Sequence, residues 1–137
     1  QMNQPNKASK SSRVKIVQKI YSFIMNPDEK IDYPKSQYKK FIKDVVQGTL
    51  ERRELIEETI DKYLKEDIDL KRTDKILKII IFAAVYELMF KHKNSIKVII
   101  GEYLKASEFF LENVQIKYLN AMLDKLSSGI RNENNRT

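Results

Sequence analysis

The feature that most constrains the fold is the run of residues 76–88, which is apolar almost all the way round a helix. Lys78 and Glu87 carry its only charges. The run is too short and too charged to span a bilayer, which needs about 20 apolar residues. A helix this apolar has to be covered on most sides by other helices. We expect Glu87 to pair or cap locally and to take no part in chemistry.

The rest of the chain predicts helices that would surround this central one. Glycine and proline number only three each in 137 residues, which disfavours the turns that a sheet requires. Apolar residues recur at helical spacing after Ser11 or Ser12, and again in residues 38–46, 55–64, 98–110 and 115–130. Gly48 marks either a kink or a close approach to a neighbouring helix. We predict an all-α fold, a single compact domain around the central apolar helix.

Composition divides the chain into three segments. Residues 1–11 are polar and basic, and we expect a flexible N-terminal arm. Residues 12–130 form the domain, and residues 131–137 are predicted to be a polar C-terminal tail that frays. The first helix of the domain has an apolar face of Val14, Val17, Ile20 and Ile24.

The net charge of +7 is unevenly placed. Residues 1–27 contain no acid, and their five bases are Lys7, Lys10, Arg13, Lys15 and Lys19. A one-sided basic end favours a polyanionic partner, although such runs are more often only a solvated surface. On a helical wheel Lys15, Gln18 and Lys19 face away from the apolar side, and Tyr21 lies at the edge. Its ring could stack on a base or simply close the core.

Catalytic and metal chemistry find little support in the sequence. There is no cysteine and only one histidine, so a zinc site is not expected. Asp67 and Asp69 resemble the start of a calcium loop, but the loop lacks its glycine and its twelfth position is Lys78. We predict no cofactor, no metal, no membrane span and no enzyme activity, and a cytoplasmic location.

Five segments, in this order, resemble the NusB family of bacterial transcription antitermination factors. They read SRVKIVQKIY at residues 12–21, FIKDVVQG at 41–48, AVYEL at 84–88, VIIGE at 98–102 and YLNAMLDK at 118–125. Each segment alone is weakly specific, but five at compatible spacing are fairly specific. The resemblance implies two three-helix halves packed together with an extra helix, about six to seven helices in all.

The resemblance also implies a function. Members of the family bind boxA RNA of ribosomal RNA leaders together with NusE, a ribosomal protein, and help the RNA polymerase antitermination complex resist termination. It therefore favours RNA contact for the basic end. The RNA-binding residues that we predict are Lys7, Lys10, Arg13, Lys15, Gln18, Lys19, Tyr21, Lys117 and Tyr118. Lys117 and Tyr118 lie at the start of the final helix, where the helix dipole favours a bound phosphate. Tyr118 is equally well explained as a core anchor.

The chain departs from the family pattern where a protein partner would bind. Phe82 stands where the family usually has an arginine, and Gly101 and Ala121 replace its asparagine and glycine. The acid that usually opens the central helix aligns with Leu77, while Asp74 lies one turn earlier. We predict a partner contact at Asp74, Leu77 and Lys78.

Two other interpretations remain open. The chain also resembles the NusB-like domain attached to some RNA cytosine methyltransferases, and it would then be a detached fragment without the methyl-donor domain. Alternatively, a helical protein-interaction module could lay its basic arm on an anionic membrane. The sequence permits either a monomer or a homodimer.

Overall fold

The computed structural model describes residues 11–136, and the side chains of residues 11–132. It contains six helices in that part of the chain and no strand. They are α1 (Ser12–Met25), α2 (Lys39–Glu51), α3 (Arg53–Leu64), α4 (Lys75–Phe90), α5 (Ile96–Ser107) and α6 (Asn113–Arg136). The prediction of an all-α fold in a single domain is confirmed.

The central helix is α4. Asp74 caps its start by accepting a hydrogen bond from the backbone N–H of Leu77 at 3.1 Å. Every residue from 79 to 88 is buried. The helix packs against all five of the others, as the apolar run predicted. Burial of each large apolar side chain in this core stabilises the fold by about 1.5–3 kcal/mol before the entropy of ordering it is subtracted.

The remaining helices cover α4 from two sides. α5 and α6 pack on α4 and on each other, and together the three form one half of the molecule. α1 and α2 pack on α4 and on each other. α3 lies mainly against α4 and α6 and touches α2 less extensively, so it joins the two sides.

Close packing of α2 on α4 depends on Gly48. A Cβ atom at this position would collide with the ring of Tyr86. Of the two alternatives, the structure shows the close approach, because α2 continues past Gly48 to Glu51. The glycine is therefore required for space.

The apolar face of α1 differs from the predicted one at its end. The buried side chains are Val14, Ile16, Val17 and Ile20. Ile24 is 39% exposed, so its placement on the core face is wrong. Ile16 takes part in the core instead, because the buried stripe of α1 is wide at its first two turns and narrows towards Met25.

The boundary predicted at residue 130 falls inside α6, which continues to Arg136. The side chain of Arg131 explains the extension. Its Nε donates to the carbonyl of Leu88 at 2.7 Å, and its Nη2 donates to the carbonyl of Asn94 at 3.0 Å. These bonds satisfy carbonyl oxygens at the end of α4 and in the following turn. Arg131, at the start of the predicted C-terminal tail, is therefore part of the domain.

None of the helices between residues 11 and 136 combines the length and apolar character needed to cross a bilayer. Within the same part of the chain, no three His, Asp or Glu side chains come close enough together to hold a metal ion.

Candidate nucleic-acid interface

The start of α1 is fixed by a cap. The side-chain oxygen of Ser11 accepts hydrogen bonds from the backbone N–H groups of Arg13 at 3.2 Å and Val14 at 3.5 Å. Such a cap satisfies donors that the first helical turn leaves free. The cap fixes the residue at which α1 begins. The position of that first turn determines which side chains of the helix face outward.

The outward side of α1 carries the residues predicted to bind RNA. Gln18 and Tyr21 are exposed, and Lys15 and Lys19 are half-buried. Tyr21 has 37% of its surface exposed, so its ring lies at the edge of the core and remains accessible on one side. Lys15, Gln18 and Lys19 share the outward side of the helix, and Tyr21 lies at its edge, one turn after Gln18.

Arg13 is different, because its side chain points inward. Its Nη2 lies 2.6 Å from one carboxylate oxygen of Glu87, and its Nε donates to the other oxygen at 3.0 Å. The guanidinium also lies over the ring of Phe41, 4.8 Å from the centroid. Only 11% of the Arg13 side chain is exposed. A bidentate arginine–carboxylate pair of this kind fixes the position of α1 relative to α4.

Glu87 is the centre of a buried polar cluster. The hydroxyl of Tyr103 donates to it at 2.6 Å, and the side-chain amide of Asn94 lies within 3.4 Å. Burial and the neighbouring carboxylate raise the pKa of Tyr103 well above its usual value. Burial alone would lower the pKa of Arg13, but the hydrogen bond and charge of Glu87 outweigh it and raise that pKa. Glu87 is paired, as expected, but the expectation of a local partner is wrong, because its counter-ion Arg13 is 74 positions away in the sequence.

This geometry changes what Arg13 offers to an RNA. With its guanidinium committed to Glu87, the residue positions α1 and does not present a free cation for a phosphate. Lys7 and Lys10 lie outside the described residues. The structure therefore describes the predicted basic surface at the N-terminal end only on the face of α1 that follows Arg13.

Tyr33, in the loop between α1 and α2, belongs to this surface although the sequence did not predict it. The ammonium of Lys19 lies 5.8 Å from the centroid of its ring, and that of Lys43 lies 6.0 Å away. The side-chain amide of Gln47 donates to its hydroxyl at 2.9 Å. Burial is the main cause that raises the pKa of Tyr33. Alternating tyrosines and lysines in residues 33–43 were the signal that would have drawn attention to it.

Lys117 and Tyr118 lie elsewhere. Both are exposed, and the hydroxyl of Tyr118 donates to the carbonyl of Asp67 at 3.2 Å, in the loop after α3. The carboxylate of Asp67 pairs with Lys125 at 2.6 Å. α6 packs on α3, α4 and α5, whereas α1 packs on α2, α4 and α5. Tyr118 thus anchors a loop, and the structure does not join this pair to the face of α1.

The three residues predicted for the protein partner are not equivalent. Asp74 is exposed as the cap of α4, and Lys78 is half-buried with its ammonium 5.8 Å from the ring centroid of Phe82. Leu77 is only 5% exposed and belongs to the core. Its side chain is not available to a partner, so a contact at this turn rests on Asp74 and Lys78.

Comparison with known proteins decides the family. A family model described as NusB family matches residues 4–128. The chain belongs to the NusB family. A solved structure described as T. maritima NusB superposes with a TM-score of 0.74 at 21% identity, covering 85% of this chain and 88% of that one. That likeness shows that the helices are arranged as in a NusB fold.

Relatives named transcription antitermination protein NusB agree with this assignment. That of Mesorhizobium japonicum is 33% identical over 94 residues, which cover 69% of this chain. That of Novosphingobium aromaticivorans is 30% identical over 103 residues, or 75% of this chain. The match spans 61% of the Mesorhizobium protein and 57% of that from Nitrobacter hamburgensis, so it covers only part of these relatives. The names of these relatives are those of transcription antitermination proteins, in keeping with the prediction of a non-enzymatic protein.

Proposed function

We propose that this NusB-family protein acts in the cytoplasm by binding single-stranded, boxA-like RNA of ribosomal RNA leaders together with NusE. The complex would then help RNA polymerase resist termination. The observation that carries the proposal is the outward face of α1, which presents Lys15, Gln18 and Lys19 with Tyr21 at its edge and lies within the acid-free residues 1–27.

The chemistry of this face suits single-stranded RNA. Lysine ammonium groups neutralise phosphates, the amide of Gln18 can hydrogen-bond to base edges, and the accessible ring of Tyr21 can stack on a base. Among the described residues, no carboxylate lies within salt-bridge distance of Lys15 or Lys19. Their charges are therefore available to a polyanion.

The same face is too small to give high specificity by itself. A few lysines supply affinity that depends on salt and little on sequence, and specific recognition requires more contacts. A protein partner that adds its own RNA contacts resolves this, and the surface turn with Asp74 and Lys78 is a place where it can dock. We expect modest affinity for RNA alone and a clear increase with NusE.

The test is a titration of boxA-like RNA with and without NusE at several salt concentrations. The Lys15→Ala/Lys19→Ala variant should flatten the dependence of log affinity on log salt by about 1.4, from about 0.7 per phosphate contact. A Lys62→Ala/Lys65→Ala variant removes the same charge at the end of α3 and should keep the parent slope. Equal affinity with and without NusE would count against the partner, and a parent-like slope in the first variant would place the RNA elsewhere.

A membrane role for the basic helix is disfavoured by its packing. The apolar side chains that would enter a bilayer, among them Val14, Val17 and Ile20, are buried against the rest of the domain. An amphipathic helix binds a membrane surface through such a face. Co-sedimentation with anionic vesicles that matches RNA binding in strength would revive this alternative.

A further inference from the structure

We infer that the RNA surface of α1 continues across Tyr33 onto residues 33–43, which form a second binding segment for single-stranded RNA. The inference rests on the proposed function of α1 and extends the same site. Residues 33–43 contain no acid, whereas acids and bases interleave over most of the chain beyond them. Their four bases are Lys35, Lys39, Lys40 and Lys43.

Tyr33 is the junction between the two parts of the surface. Lys19 of α1 and Lys43 of α2 hold their ammonium groups 5.8 and 6.0 Å from the centroid of the same ring. Gln47 fixes that ring through its hydroxyl at 2.9 Å. The face of an aromatic ring attracts cations, so Tyr33 joins a lysine of α1 to a lysine of α2. The cationic face of α1 is thus continuous with that of α2.

Beyond Tyr33 the charge continues along α2. Lys39 and Lys40 lie one helical turn before Lys43, on the same side of the helix. Both are exposed, as is Lys35 in the preceding loop. Among the described residues no carboxylate pairs with any of these three lysines. Asp44, the acid that follows Lys43, is paired with Lys91 at 3.4 Å.

An accessible aromatic ring accompanies these lysines. Tyr38 is 52% exposed, and its side chain makes no capping hydrogen bond at the start of α2. Cations that follow a phosphate backbone, together with aromatic rings on which unpaired bases stack, are the combination by which proteins bind single strands. The segment therefore fits an RNA strand that leaves the face of α1 and passes over Tyr33.

The inference predicts that RNA length decides which residues matter. A boxA-like RNA of about 6 nucleotides fills the face of α1, and one of about 16 nucleotides reaches residues 33–43 as well. The Lys35→Ala/Lys39→Ala/Lys40→Ala variant should flatten the salt dependence of the longer RNA by about 2 and leave the shorter RNA unchanged. Tyr38→Ala should weaken binding of the longer RNA by about 5- to 150-fold, and Tyr38→Phe should retain it.

The Lys62→Ala/Lys65→Ala/Lys71→Ala variant is the charge-matched control, since its lysines lie at the end of α3 and in the loop that follows. Thermal unfolding checks the fold of each variant, and a triple glutamine version replaces the alanine one if helix stability changes. If the first triple variant behaves like the control on both RNAs while Lys15→Ala/Lys19→Ala flattens the slope, the inference is overturned and the proposed function stands.

Two further outcomes also test the inference. Parent-like slopes in both the α1 variant and the triple variant would overturn the inference together with the proposed function. If the triple variant loses binding to phosphatidylserine vesicles but keeps its affinity for the longer RNA, the segment serves a membrane surface and the inference fails. A loss confined to the longer RNA supports it.

Discussion

Arg13 and Glu87 are joined by two short hydrogen bonds, at 2.6 and 3.0 Å, across 74 positions of the sequence. The pair ties the first turn of the helix that carries the proposed RNA face to the last turn of the central helix. It is enclosed by Phe41 and Tyr103, whose rings face the guanidinium. The orientation of the RNA face therefore depends on a buried ion pair that does not itself touch RNA.

Replacement of Arg13 should destabilise the fold strongly. Arg13→Ala leaves the fully buried carboxylate of Glu87 without its counter-ion, which costs about 3–5 kcal/mol. Arg72→Ala is the matched control, because it removes an exposed arginine paired with Asp69 and should cost at most about 1 kcal/mol. Urea unfolding of both variants measures the difference. Similar midpoints for the two would mean that the pair does not hold α1 on α4.

Stability should fall in alkaline solution because of Tyr103. Its pKa in the folded protein is raised well above the usual value of 10.0, chiefly by burial and then by Glu87. Above about pH 10 the unfolded chain loses this proton while the folded protein keeps it, so the free energy of unfolding decreases as pH rises towards the folded pKa. The contribution is fully present below pH 10. Tyr103→Phe should have a flatter slope of unfolding free energy against pH in this range; an unchanged slope would assign the effect to other groups.

Sequence patterns predicted the fold well because they reflect burial. A run as apolar as residues 76–88 has one stable place, the centre of a helical domain, and the helical spacing of the flanking segments left few alternatives. The glycine at position 48 was recognised as a special position for a similar reason. What could not be predicted from spacing was the continuation of α6 past residue 130, where Arg131 bonds to one carbonyl of α4 and one in the turn that follows it.

The candidate site was predicted less completely. Lys15, Gln18 and Lys19 lie on the outward side of α1 and Tyr21 at its edge, as expected, because helix periodicity alone determines which side a residue occupies. Arg13 precedes Ile16, Val17 and Ile20 by three, four and seven positions, so the same periodicity places it on the buried side of α1. A wheel diagram does not contain the carboxylate of Glu87, distant in sequence, that pairs with it there. Tyr33 was missed because its neighbours, Lys19 and Lys43, come together only when α1 and α2 pack.

Two glycines should respond to alanine in opposite directions. Gly48→Ala forces a methyl group into the ring of Tyr86 and should destabilise the fold by about 1–3 kcal/mol. Gly101 lies in the middle of α5, and apart from the backbone of its own helix and its chain neighbours no atom lies within 4 Å of where a Cβ would be, so Gly101→Ala should stabilise by about 0.5–1 kcal/mol. Thermal unfolding of the two variants measures the sign of each change in stability. A stable Gly48→Ala protein would show that α2 can move away from α4.

Substitution of Tyr21 distinguishes a ring that stacks on RNA from one that only packs in the core. If its accessible ring stacks on a base, Tyr21→Ala should weaken RNA binding by about 1–3 kcal/mol and leave the salt dependence unchanged, because no phosphate contact is lost. Tyr21→Phe keeps the ring and should bind as the parent does. Since 37% exposure leaves the rest of the residue buried, thermal unfolding has to accompany the titration. A folded alanine variant with the parent's affinity would show that the ring only closes the edge of the core, and the bases would then have to be recognised by other side chains, Gln18 first among them.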